Sequence, residues 1–142
     1  MTKNAQRAIS AYVQTGIETG VPEADSHRLI QMLFEGLLAA IADARVKLAA
    51  GDIPGRGQAI SKAIAIIEHG LQPSLDTEKG GELAERMNAL YSYIITRLLH
   101  ANLRAQEDGL NEATRLVSEL HAGWKAIKTV EGGENIRDAM RA

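Results

Sequence analysis

The chain has 142 residues, of which 45% are apolar, 24% charged and 4% aromatic, with a formal charge of −2 and no cysteine. That is one domain's length with enough apolar side chains for a core, and the lack of a basic surplus argues against nucleic acid as a partner. Without cysteine there are no disulfides, thiolate zinc sites or cysteine nucleophiles, which fits a reducing compartment.

The chain starts polar: Met1 to Ser10 lacks the apolar stretch of a signal peptide. No window approaches the roughly 18 uninterrupted apolar residues of a membrane span, so a cytoplasmic protein without membrane insertion is expected. Ile9, Val13 and Ile17 recur at i+4, with Tyr12 beside them. A helix that short is unstable alone and is ordered only where it docks. Residues 1–20 are therefore read as a mobile N-terminal segment of a single domain spanning 1–130.

The first long helix is expected to start near Asp25, with Asp25 as its cap and Ile30, Leu33, Leu37, Ile41, Ala44 and Leu48 as its core stripe. Gly51 should end it, and 52–57, with Pro54, Gly55 and Gly57, should form the turn. The second helix carries Ile60, Ile64, Ile67 and Leu71 on one face and stops at or before Pro73. The third is expected from about Glu82 to Gln106, with Met87, Leu90, Ile94, Leu98 and Ala101 facing the core. The fourth starts near Gly109 and uses Leu110, Ala113, Leu116 or Val117, Leu120, Trp124 and Ile127. After Gly132-Gly133 the pattern breaks, and 131–142 read as a flexible tail. Short connections between long amphipathic helices imply antiparallel neighbours, so the expected fold is all-α: an up-down four-helix bundle with a short N-terminal helical segment.

A bundle can hold a di-iron site through Glu-x-x-His motifs, but Ala24, Ile66, Arg97 and Ser118 stand three residues before the four histidines. No metal or other cofactor is expected, and the histidines read as surface or helix-end residues. The glycine clusters lack the Lys-Ser or Lys-Thr of a phosphate loop. His100 is the one candidate for a phosphotransfer histidine, the alternative function, but it lacks the neighbouring lysine and glycine of such a site. No catalytic site is assigned, and the chain is not read as an enzyme.

The third helix instead points to binding. With Ile94 at the centre of its core face, Ile95, Leu99 and Leu103 lie about 100°, 140° and 180° away and form a second apolar stripe. Such a stripe needs either a cover within the chain or a partner's apolar helix. On the first helix, Leu29 and Met32 also sit off the core stripe, and methionine suits a surface that repacks around a partner. The candidate binding residues are thus Leu29, Met32, Ile95, Leu99 and Leu103.

Several stretches are also recognisable together: Ala11-Tyr12, Leu29 through Gly36, Gly51-Asp52, Leu75-Asp76 followed by Glu78 through Glu82, Leu90-Tyr91-Ser92-Tyr93, Arg97 through Leu103, and Trp124. In this order and spacing, from about Ser10 to Ile127, the chain resembles FliS, the flagellar export chaperone family. Asp25-Ser26 stands where that family often has Ser-Pro, Phe34 where it often has Tyr, and Pro22 lies upstream of the family's proline. The resemblance implies an antiparallel bundle that binds the disordered C-terminal part of flagellin, blocks premature filament assembly and aids delivery to the type III export apparatus. It leaves room for other flagellar export or regulatory partners. It also implies that the segment around Ile9 and Tyr12 is a movable cover of the binding groove.

Overall fold

The computed structural model describes residues 23–76 and 78–126. The segment holding Ile9 and Tyr12, Ile127 and the C-terminal tail lie outside the described residues, so the readings placed on them stand as expectations. Among the described residues there are four α-helices and no strand: α1 Glu23–Ala50, α2 Ile53–Ile66, α3 Gly81–Arg104 and α4 Asp108–Lys125.

Helix α1 buries Ile30, Phe34, Leu37, Ile41 and Ala44, side chains three or four residues apart along one face. It is already helical at Glu23, two residues before the expected start, so Asp25 lies within the helix rather than at its cap. Its end is as the sequence implies. Gly51 adopts φ +71°, the left-handed conformation that glycine reaches without strain. Its N–H donates to the Leu48 carbonyl at 3.1 Å, and the Asp52 N–H donates to that of Lys47 at 2.9 Å. This pair of bonds satisfies carbonyls that the helix end would otherwise leave bare.

The connection to α2 is shorter than the glycines suggest. Asp52 caps the helix through its carboxylate, which accepts from the Gly55 N–H at 2.9 Å, and Pro54 occupies the first turn. Proline's fixed φ and missing donor suit a helix start, so Pro54, Gly55 and Gly57 belong to the helix and not to a loop. Beyond Ile66 the chain widens into one π turn over Ile67–Leu71, with the Gln72 N–H donating to the Ile67 carbonyl at 2.8 Å. Ile67 and Leu71 both stay buried across this turn.

Helices α1 and α3 face each other across the core; each packs side by side with α2 and α4. Every neighbouring pair runs antiparallel. Gly36 faces Ile66, and Gly70 faces Leu33. Arg56, early in α2, bonds Asn102 late in α3, while Gln72 reaches Ser92. Arg45, late in α1, pairs with Glu107 at the start of α4. Helices α3 and α4 come close at Gly109, where an added Cβ would lie 2.6 Å from the Arg97 carbonyl oxygen. Glycine lets the two backbones meet there.

On α3 the buried set is Ala84, Tyr91, Ile94, Leu98 and Ala101. Met87 and Leu90, expected in the core, are only partly buried against it, and Tyr91 takes the central position. On α4, Val117 rather than Leu116 is fully buried, and Trp124 is 2% exposed, on the core side as expected.

Two polar residues in the interior overturn simple expectations. His27 is not a surface residue. It is 5% exposed and stacks on Trp124 at 4.7 Å between ring centroids. Its Nε2–H donates to the Trp124 carbonyl at 3.0 Å, and the Trp124 Nε1–H returns the bond to the His27 carbonyl at 2.8 Å. A carbonyl can only accept, which fixes the imidazole tautomer. These reciprocal bonds tie the start of α1 to the end of α4. At the opposite end, Arg56 is buried and donates from Nε and Nη2 to the Asn102 side chain and carbonyl, both at 3.0 Å. Its charge lies beside the last carbonyls of α3, where the helix dipole favours a cation.

Candidate functional site

The exposed large apolar side chains among the described residues are Leu29, Met32, Val46, Ile53, Tyr93, Leu99 and Leu103. Four of the five sequence-selected binding residues are in this set. Leu103 is 80% exposed, the most of all, and Leu29, Met32 and Leu99 are about half exposed. Ile95 differs: it is half-buried and packs against the core, so it forms the base of the α3 stripe rather than its crest.

The fold places these residues on two helices that do not lie side by side. Their arrangement follows from helical phase. Leu29 and Met32 stand one turn before Leu33 and Gly36, the residues of α1 that face α2. Leu99 lies two turns after Ser92 and one turn before Asn102, both of which are bonded to α2. One apolar patch therefore runs along each flank of α2, Leu29 and Met32 on the α1 side and Leu99 and Leu103 on the α3 side. The exposed outer face of α2, with Ser61, Lys62 and Ala65, separates them.

On the other flank of α3 the surface is polar. Arg97 Nε donates to Glu112 at 2.7 Å, and the Tyr93 hydroxyl donates to the same carboxylate oxygen at 2.6 Å. The Tyr93 hydrogen bond above all holds the Glu112 carboxyl below the usual carboxylate range; desolvation opposes it next, and the hydrogen bond and charge of Arg97 then add to the lowering. The same bond raises the Tyr93 hydroxyl. This cluster joins α3 to α4. The sequence reading did not find it, because nothing in a single helix shows which residue its partner helix sets opposite.

The histidines do not converge. His69 and His100 are exposed on separate helices, and no group of three or more metal-binding side chains occurs among the described residues. His121 is partly buried near Phe34, and its Nε2 is buried with no hydrogen-bond partner. Burial pushes its imidazole pKa down, Lys125 adds to the effect, and Glu35 opposes it. His100 has no neighbouring lysine that would activate it. None of the described helices is long and apolar enough to cross a membrane.

Comparison with known proteins identifies the family. The family model described as Flagellar protein FliS matches residues 8–131. The chain belongs to the FliS family. It is 46% identical to the flagellar secretion chaperone FliS of Salmonella typhimurium over 119 residues, covering 84% of this chain and 88% of the relative. It is 43% identical to the flagellar secretion chaperone FliSB of Pseudomonas aeruginosa, covering 87% of this chain and 97% of that one. The Escherichia coli FliS is 40% identical, with coverage of 85% and 89%. FliS is a family of flagellar secretion chaperones and not of enzymes, which leaves the phosphotransfer reading of His100 without support.

Proposed function

We propose that this FliS-family chain acts in the cytoplasm as an export chaperone for flagellin. It binds the disordered C-terminal region of flagellin, keeps the subunit from polymerising before export, and aids its delivery to the flagellar type III apparatus. The observation that supports this reading is the pair of exposed apolar patches beside α2, Leu29 with Met32 and Leu99 with Leu103, on a chain of this family.

The physics of such a binder is simple. A disordered client pays conformational entropy when it folds onto the bundle, and buried apolar surface must exceed that cost. Amphipathic helical segments laid against the patches would bury leucine and methionine side chains that the bundle leaves in water. No cofactor or nucleotide is needed, because release can follow from competing contacts at the export machinery.

Seeded polymerisation of flagellin tests the proposal. A stoichiometric amount of this chain should stop filament elongation. Elongation at an unchanged rate, with the chain in excess, would rule out the proposed role.

A further inference from the structure

The outer face of α3 is divided lengthwise. Leu99 and Leu103 occupy the flank toward α2, and a cleft of about 230 Å³ borders them on the flank toward α4. Arg97, His100 and Arg104 line that cleft from α3, and Asp108 and Gly109 line it from α4. Ridge and cleft are contiguous: Leu103 precedes Arg104 directly and lies about 60° around the helix from His100.

Two arginines, Arg97 and Arg104, line the cleft. Among the described residues, Asp108 is the only acidic one lining it. Arg97 is engaged on one side by Glu112, and Arg45, Arg86 and Arg115 are ion-paired elsewhere. Arg104 is exposed and has no acidic partner among the described residues. A guanidinium presents planar paired donors that match a carboxylate.

We infer that this face seats an amphipathic client helix whose apolar side rests on Leu99 and Leu103 and whose flanking Asp or Glu side chain enters the Arg97–Arg104 cleft. The inference rests on the flagellin reading and adds to it a charge requirement: the segment bound here is acidic along one edge. The apolar ridge supplies most of the affinity, while the cleft fixes the orientation and register of the helix, because only one rotation of it places both features together.

The test is calorimetric titration of the flagellin C-terminal region into the full chain and into Arg104→Glu, each at low and at high sodium chloride. Wild-type affinity should fall as salt rises. Arg104→Glu should bind about fivefold more weakly at low salt and respond less to added salt, with unchanged helical circular dichroism. Arg104→Gln carries the same test without reversing charge at the helix end. If both variants bind like wild type while Leu99→Glu does not, the charge inference is overturned and the flagellin reading stands. A wild-type chain that takes up no flagellin overturns both.

Discussion

Replacing Trp124 by alanine should be among the most damaging single changes in the bundle. The side chain is 2% exposed, stacked on His27, and bonded through Nε1 to the His27 carbonyl. Truncating a buried tryptophan to alanine costs about 3–5 kcal/mol through lost burial and the cavity left behind. The lost Nε1–H also leaves the His27 carbonyl short of its donor, which places the expected cost in the upper part of that range. On a domain of this size the midpoint of thermal unfolding should fall by roughly 10–20 °C. Trp124→Phe separates the contributions: it keeps an aromatic ring against His27 but removes the donor, so about 1–2 kcal/mol is expected. The assay is urea unfolding followed by circular dichroism, with the emission of the sole tryptophan as a second probe of the wild type. An alanine variant that loses under about 1 kcal/mol would refute the account of how α1 and α4 are joined. So would a phenylalanine variant as damaged as alanine, because packing could not then be separated from the hydrogen bond.

Two further expectations concern stability. Gly109→Ala should destabilise by about 1–3 kcal/mol, because the new Cβ would lie 2.6 Å from the Arg97 carbonyl oxygen, a backbone atom that cannot swing away. The better helix propensity of alanine offsets at most about 1 kcal/mol, so a net gain in denaturant midpoint would contradict the packing described. His121 should make the protein acid-sensitive. Burial lowers its folded-state pKa from the ordinary 6.5, so the unfolded chain takes up the proton first. That contribution to stability is present above about pH 6.5 and is lost as pH falls through that value toward the folded pKa. His121→Leu should flatten the slope of stability against pH below 6.5, and an unchanged slope would assign the sensitivity to other groups.

Much of the bundle is legible in the sequence because it is written in local terms. The apolar stripes follow the helical period, Gly51 marks a cap that only a left-handed residue can make easily, and Trp124 stays in phase with Leu120. The misreadings arise where a partner helix decides. Tyr91 carries a hydroxyl, so pattern alone favours its neighbour Leu90, yet the direction from which α2 and α4 close on α3 turns Tyr91 inward. His27 reads as a surface or helix-end residue until Trp124 is set against it, and Arg56, inside the expected turn, is buried once Asn102 is set against it. They meet partners 97 and 46 residues away, separations that no local window spans. Gly55 and Gly57 punctuate like a loop, but Asp52 and Pro54 outweigh them by starting the helix early. The surface reading carried over better than the core. Leu29, Met32, Leu99 and Leu103 are exposed as their phase implies, while their shared relation to α2 needed the fold.

The central claim is that the stripe on α3 meets the client and not the core. Calorimetric titration of the flagellin C-terminal region into the wild type and into Leu99→Glu addresses it most directly. Leu99 is 52% exposed, so a carboxylate there stays in water and the helical circular dichroism should be preserved. Affinity should fall by about 2 kcal/mol or more, roughly thirtyfold, the loss expected of a central interface residue. A Leu99→Glu protein that unfolds, or one that folds and binds flagellin at full strength, would contradict the account.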